Sequence, residues 1–188
     1  HFYDHFHYHE FKAGAEMNLQ PGARLALAAG KYDTYGEGGS FVHPKNNEEF
    51  RIWPQLVMLQ SFGILTIEQR YRAEMRFSSN GYRNRFRYRF GASVPFGNGS
   101  KGFKPFHLNA SNELFFTDKE PYFERNRFLF SLNYKFSKPA TLQLGYLHQF
   151  DYKINDESGR DFLVMGIYFD ISRAQHGKNI HETDMKDY

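Results

Sequence analysis

The segment NGYRNRFRYRFGASVPF, residues 80–96, alternates between two kinds of side chain. Arginine occupies every second position from Arg83 to Arg89, and aromatic or aliphatic side chains occupy most of the positions between and after them. A period of two is that of a β-strand, whose successive side chains point to opposite faces. The segment therefore predicts a strand with one cationic face and one apolar face.

Two classes of protein use such a strand. Arginines interleaved with aromatic rings bind nucleic acids, because guanidinium groups contact phosphates and rings stack on bases. Strands of a membrane β-barrel also alternate, with apolar side chains toward lipid and polar side chains toward the lumen. The chain has 24 basic and 21 acidic residues and a net charge of +3. A dedicated nucleic-acid binder has a stronger basic footprint, so we expect no nucleic-acid partner.

The composition favours a barrel. Of the 188 residues, 19% are aromatic, yet the mean hydropathy is −0.68. No apolar run approaches the roughly 20 residues that a membrane helix needs. Strands that alternate apolar and polar positions reconcile a high aromatic content with a low mean hydropathy. The chain has no cysteine, so disulfides and thiol chemistry are excluded.

The same alternation recurs along the chain and predicts nine strands, most of about ten residues or more. The segment after Gly63 and the segment 80–96 flank SSNG, residues 78–81, and predict a hairpin. Two strands near the start, about residues 5–19 and 23–35, alternate less regularly. Strands of this length exceed the usual globular strand and suit a tilted bilayer span.

The predicted fold is all-β: a membrane-spanning antiparallel up-and-down β-barrel. Residues 1–171 form the barrel, and residues 172–188 form a C-terminal periplasmic tail. Bacterial barrels normally have an even number of strands and begin and end in the periplasm. Nine is odd, so we expect one or three strands before His1, which gives ten or twelve in the complete protein.

Strand register can also be predicted. A two-residue turn at Phe62 and Gly63 pairs residues whose numbers sum to 125. The predicted pairs are Glu49 with Arg76, Arg51 with Glu74 and Trp53 with Arg72. The next hairpin pairs Glu74 with Arg85 but also places Arg76 beside Arg83 and Arg72 beside Arg87. Like charges placed directly opposite are destabilising, so we expect compensation from Glu113, Asp151 or bound anions.

The alternation assigns side chains to two environments. The predicted lumen-lining charges are Glu49, Arg51, Glu68, Arg70, Arg72, Glu74, Arg76, Arg83, Arg85, Arg87, Arg89, Glu113, Arg125 and Arg127. The predicted lipid-facing residues are Tyr71, Phe77, Phe86, Tyr88, Phe90, Phe128, Phe130 and Tyr134.

Four segments in a fixed order carry a family resemblance: IEQRYRAEMRFSSNGYRNRFRYRFGASVPF, HLNASNELFF, RNRFLFSLNYKFS and LQLGYLHQF. Over roughly residues 48–171, they resemble an uncharacterised outer-membrane β-barrel family of Bacteroidota, catalogued as a domain of unknown function (2490-type). The resemblance implies a barrel in the outer membrane of a Gram-negative bacterium. The family carries no known catalytic residues, so the resemblance implies a location and a fold and no activity.

Two further patterns could indicate a metal site and a catalytic site. His5, His7 and His9 share one strand face and have the spacing of a metal site. An imidazole-rich rim near the headgroups or an extracellular extension explains them more simply, because composition alone is a weak metal signal, and we predict no metal and no cofactor. A hydrolase triad of His107, Ser111 and Glu113 needs convergent side chains, whereas residues along one strand are spaced apart. We therefore predict no enzyme.

The function that the sequence favours is a non-enzymatic accessory or structural subunit of an outer-membrane complex, with a lumen filled by arginine–glutamate pairs. A small anion-preferring channel is the first alternative, and a lipid-modifying outer-membrane enzyme is the second. The expected surroundings are outer-membrane lipid and lipopolysaccharide. Residues 172–188 are the expected contact for other outer-membrane or periplasmic proteins.

Overall fold

The computed structural model describes residues 8–36, 45–99, 104–137, 139–152 and 158–169. His5, His7 and the tail 172–188 lie outside them. Within them are nine strands: β1 (Tyr8–Gln20), β2 (Ala23–Tyr35), β3 (Lys45–Phe62), β4 (Leu65–Ser78), β5 (Gly81–Phe96), β6 (Phe106–Thr117), β7 (Phe123–Lys135), β8 (Ala140–Asp151) and β9 (Ser158–Phe169).

The nine strands form one antiparallel sheet in which each strand pairs with its neighbours in sequence. The sheet has the form of a half-barrel, so the predicted all-β up-and-down fold is confirmed. Among the described residues, the outer edges of β1 and β9 have no strand partner. A search of the described residues finds no helix long and apolar enough to cross a membrane.

The two faces of the sheet differ sharply in burial. On the face that carries the alternating arginines, the inner face, Arg70 and Glu74 are each only 2% exposed. On the opposite outer face, Phe86 is 50% and Leu144 is 49% exposed. A flat single layer would leave both faces open. Curvature of the sheet gathers the inner side chains together and spreads the outer ones apart.

The predicted register between β3 and β4 is wrong by two residues. Phe62 pairs with Leu65, so the turn consists of Gly63 and Ile64. Gly63 adopts φ 61°, a left-handed conformation that glycine reaches at little cost and that tight hairpin turns require. Glu49 therefore lies opposite Ser78, and Arg51 lies opposite Arg76.

The predicted register between β4 and β5 is confirmed. Glu74 pairs with Arg85, Arg76 with Arg83 and Arg72 with Arg87. The turn signal SSNG located this hairpin because Ser78 pairs with Gly81, which has φ 102°. Both hairpins keep every side chain on its predicted face, because an error of two residues does not change the parity of a strand.

The β3–β4 register can be tested by cross-linking, because the chain has no cysteine of its own. We predict that the double variant Leu56→Cys/Tyr71→Cys oxidises readily to a disulfide, since these outer-face residues are directly opposite. In the control Leu56→Cys/Gln69→Cys, the two cysteines occupy positions that the register predicted from the sequence places opposite each other. This control should cross-link poorly. Efficient cross-linking of the control alone, measured by mass spectrometry, would contradict the structure.

Candidate functional site

The inner face of β3–β7 carries the densest set of charges in the described part of the chain. Ten of the fourteen predicted lumen-lining residues are less than 10% exposed, and Arg51, Arg83, Arg125 and Arg127 are partly exposed. Alternation places them on one face, and curvature brings residues of non-adjacent strands together. Ionised groups this deeply buried need partners.

Glu113 on β6 connects three strands. Its Oε1 accepts a hydrogen bond from Arg70 Nη2 of β4 at 2.6 Å and another from Arg87 Nε of β5 at 2.9 Å. Arg70 and Glu113 are separated by the whole of β5, so this bond crosses the inner face. The expected compensation of the arginine row by Glu113 is therefore present.

Glu74 has a similar position on β4. Arg87 Nη1 donates to Glu74 Oε1 at 2.7 Å, and Arg72 and Arg85 lie 3.6 and 3.7 Å from its carboxylate. Three guanidinium groups thus surround one carboxylate. Arg87 also bonds Glu113, so it links the two carboxylates into one network.

Glu49 and Glu68 extend the network along β3 and β4. Arg89 donates to Glu68 Oε1 at 3.1 and 2.6 Å. Both Arg76 and Arg51 form two hydrogen bonds with the carboxylate of Glu49. The predicted ion pair between Glu49 and Arg76 therefore forms diagonally, despite the shifted register.

Of two further contacts predicted for β3, the one with Glu74 is wrong and the one with Arg72 is confirmed. Arg51 does not lie opposite Glu74, and its hydrogen-bonded carboxylate is Glu49 on its own strand. The guanidinium of Arg72 lies 5.4 Å from the Trp53 ring centroid, so the predicted cation–π contact forms diagonally. Arg72 also donates to Gln55 Oε1, its direct partner across the strands.

The network continues onto β7–β9. Arg125 contacts Asp151, and Arg160 Nη2 lies 3.1 Å from Asp151 Oδ2. Arg127 Nε donates to Gln149 Oε1 at 2.7 Å. Asp151 thus contacts arginines of β7 and β9, whereas we expected it to compensate the pairs between β4 and β5.

Phe115 is an inner-face residue that the sequence analysis missed. It is 2% exposed, and its ring centroid lies 5.7, 4.7, 5.9 and 5.2 Å from the guanidinium carbons of Arg85, Arg87, Arg125 and Arg127. The electron-rich face of an aromatic ring attracts cations. Phe115 follows Leu114 and precedes Phe116, so only the parity set by Glu113 could have identified it as an inward side chain.

The inner face is not charged throughout. Leu129, Leu147 and Val164 form a buried apolar cluster on β7, β8 and β9. These three residues occupy positions that alternation assigns to the polar face. The interior therefore combines an ion-paired region over β3–β7 with an apolar region near the β9 edge.

Among the described residues, positive charge exceeds negative charge in the ion-paired region. Six described carboxylates contact its arginines: Glu49, Glu68, Glu74, Glu113, Glu124 and Asp151. The arginines of β3–β7 on this face number ten: Arg51, Arg70, Arg72, Arg76, Arg83, Arg85, Arg87, Arg89, Arg125 and Arg127. The formal excess makes the inner face attractive to anions.

The predicted lipid-facing residues all lie on the outer face. Seven of the eight are 40–50% exposed, and Tyr88 is partly exposed. Further apolar side chains of the outer face are more open still, including Leu163 at 74% and Met165 at 72% near the β9 edge. A single layer with this outer surface has no apolar core on that side.

The residues weighed for catalysis and metal binding do not converge. His107, Ser111 and Glu113 lie along β6, and strand geometry separates His107 from Ser111 by about 13 Å. Glu113 is held by two arginines. Of the three N-terminal histidines, only His9 is described, and its Nε2 lies 3.3 Å from Asp33 Oδ2. The described residues contain no cluster of metal-ligating side chains.

The 118–122 connection between β6 and β7 is tied to β5. Asn84 donates to Asp118 from its backbone N–H at 3.0 Å and from Nδ2 at 2.7 Å. These hydrogen bonds, the side-chain one first, lower the pKa of the Asp118 carboxyl. Asp118 thereby stays ionised below the pH at which a free aspartate is protonated.

Comparison with known proteins gives one match. A family model described as "Protein of unknown function (DUF2490)" matches residues 1–160, which is most of the chain. The match confirms the resemblance to a domain of unknown function, over residues 1–160 where the four segments gave roughly 48–171. No curated protein and no solved structure matches.

Glu113 provides the sharpest test of the network. We predict that Glu113→Gln lowers the free energy of unfolding by about 3–5 kcal/mol, because Arg70 and Arg87 lose a buried carboxylate. Urea titration of the folded protein measures the effect. The control is Glu48→Gln, whose side chain is 52% exposed beside Lys31, and which should unfold like the parent protein. Equal stability of both variants would show that the network contributes little.

The contribution of the buried Phe115 ring to stability can be compared with that of an exposed ring on the outer face. We predict that Phe115→Leu costs at least about 2 kcal/mol of unfolding free energy, since it removes a ring contacted by four guanidinium groups. Phe116→Leu, the same change on the outer face at a residue that is 40% exposed, should cost less than about 1 kcal/mol. Similar losses in both variants would contradict a stabilising role for the Phe115 ring inside the arginine cluster.

Proposed function

The chain belongs to the family described as "Protein of unknown function (DUF2490)", and we propose that it is a non-enzymatic β-barrel protein of the bacterial outer membrane. Its proposed role is that of an accessory or structural subunit of an outer-membrane complex. One observation carries the proposal: the outer face is apolar and exposed, and the inner face is polar and buried. A soluble sheet places its apolar face inward against a second layer. Here the arrangement is inverted, as in a strand-built membrane protein.

The size of the apolar surface supports a lipid environment. Soluble monomers rarely expose contiguous apolar patches larger than a few hundred Å². The outer face carries exposed aromatic and aliphatic side chains from β2 to β9, among them Leu27, Phe86, Phe130, Leu144 and Ile167. Lipid and lipopolysaccharide are the proposed surroundings of this face, and the outer membrane is the proposed location.

A spanning form has one further requirement. Backbone N–H and C=O groups in hydrocarbon must be hydrogen-bonded, so a spanning sheet is closed. In the membrane, the free edges of β1 and β9 must therefore be paired. Experiments in a membrane therefore need the full-length protein. We also propose that residues 172–188 bind other outer-membrane or periplasmic proteins.

The filled inner face favours a structural role over transport. Arg70, Glu74, Glu113 and Asn109 are each at most 6% exposed, and hydrogen bonds cross the inner face between non-adjacent strands. A narrow barrel whose interior is filled by side chains leaves no wide aqueous path. One observation also favours a second candidate, an anion-preferring channel: in the described part of the inner face, ten arginines face six carboxylates.

The lipid-facing surface can be tested with one charge. We predict that Leu144→Arg, near the middle of β8, weakens folding into lipid vesicles by about 2–4 kcal/mol, because arginine then enters hydrocarbon. Tyr122→Arg, at an exposed residue outside the strands, is the control and should change folding little. If the outer face contacts water, Leu144→Arg changes stability by less than about 0.5 kcal/mol, and the proposal is wrong.

Conductance separates the two candidate functions. We predict that the full-length protein is folded, as its heat-modifiability will show. In planar bilayers it should give no reproducible single-channel openings, since ion-paired side chains fill its interior. The outcome that would favour the channel is an anion-selective conductance that is lost when Arg85 and Arg87 are both replaced by Glu. Retained heat-modifiability would show that the variant still folds.

A further inference from the structure

A polar pocket opens at the end of the half-barrel where the β4–β5 hairpin turns. Its volume is about 340 Å³, at the small end of the range for ligand pockets. Its lining includes Asn47, Glu49, Arg76, Ser78, Arg83 and Lys119. Three of these six side chains are cationic and one is anionic, so the lining has a formal excess of two positive charges.

Hydrogen bonds fix the hairpin side of the pocket. Ser79 donates from its backbone N–H to the Glu48 carbonyl at 3.1 Å and from Oγ to Asn47 Oδ1 at 3.0 Å. These bonds join the hairpin tip to β3. The wall is therefore built from three strands that hold one another in place.

The 118–122 connection contributes Lys119 to the pocket lining. Lys119 Nζ donates to the Tyr82 carbonyl at 2.8 Å, which holds the ammonium beside β5. Asp118, the neighbouring acid, is bound by Asn84 from both its backbone and its side chain. This contact positions Lys119 at the pocket. Among the described residues, no carboxylate forms an ion pair with its ammonium group.

The carboxylates near the pocket are already shared. Glu49 is bound by both Arg51 and Arg76. Arg85 forms two hydrogen bonds with Glu124, at 2.9 and 2.5 Å, whereas Arg83 reaches the same carboxylate only at 3.7 Å. Each carboxylate therefore serves two arginines.

Arg76 supplies a buried donor for a ligand. Its side chain is 7% exposed and lies directly across from Arg83, another cation. Two of its nitrogens bind Glu49, and Nη1 is buried with no hydrogen-bond partner among the described residues. Leaving a buried charged donor unsatisfied is costly, and an anion between Arg76 and Arg83 would satisfy it.

We propose that this pocket binds a terminal phosphate group, either inorganic phosphate or a phosphate monoester, held by Arg76, Arg83 and Lys119. A phosphate monoester carries nearly two negative charges at neutral pH and offers three acceptor oxygens. That charge balances the excess of two in the lining, and three oxygens match three cationic donors. The group has two sources, inorganic phosphate and the phosphate monoester headgroup of a lipid, and both present a nearly dianionic phosphate with at least three acceptor oxygens. The inference does not depend on the proposed function.

The test is binding by calorimetry with the full-length protein in phosphate-free maltoside detergent. One titration uses inorganic phosphate, and the other uses short-chain phosphatidic acid against phosphatidylcholine of equal chain length. The variant is Arg83→Gln/Lys119→Gln, which removes two exposed or half-exposed charges and leaves buried Arg76 in place. The matched control is Arg160→Gln, an inner-face arginine of β9 that is 58% exposed and lies outside the pocket lining.

We expect at least one phosphate probe to bind and the double variant to weaken that binding by about tenfold or more, because charge-assisted hydrogen bonds are lost. The control should match the parent protein. Stronger binding of phosphatidic acid identifies a lipid headgroup, and equal binding of both probes identifies the phosphate alone. Failure of both probes to bind the parent protein, or equal binding by the parent protein and the double variant, would overturn the proposal.

Discussion

The fold depends on pairing buried arginines with carboxylates across the inner face. Arg70 of β4 reaches over β5 to Glu113 of β6 at 2.6 Å, and Arg85 of β5 reaches over β6 to Glu124 of β7. Backbone ladders join only adjacent strands, whereas these side chains join strands that are two apart. Removing one partner leaves a buried charge without its counterion, which is costly. The network therefore opposes the breaking of any single ion pair and favours one curvature of the sheet.

The same constraint accounts for the composition. Long arginine side chains fill an interior that a single-layer sheet cannot fill with a second apolar layer, and aromatic rings such as Phe115 and Tyr32 lie among their guanidinium groups. The apolar side chains are left to the outer face, which gives high aromatic content and low mean hydropathy in one chain. If lipid covers that face, both surfaces are satisfied without a conventional core.

Alternation predicted the faces well because a strand has only two of them. It predicted the nine strands, and the SSNG turn predicted the β4–β5 register. It could not locate the β3–β4 turn, since two-residue turns at 62–63 and 63–64 preserve the same parity. Bridges such as Arg70 to Glu113 depend on curvature, which no local pattern encodes. Apolar residues on the inner face, such as Leu129, gave no signal of their own.

Spin labels along β7 test the central claim most directly, because the chain has no cysteine. Single cysteines from residue 128 to residue 133 would carry nitroxides in full-length protein in lipid vesicles. The account predicts that labels at 128, 130 and 132 collide with oxygen but not with a water-soluble nickel complex. Labels at 129, 131 and 133 should collide with neither. Nickel access to the first set would contradict a lipid-facing surface, and nickel access to the second would contradict a filled interior.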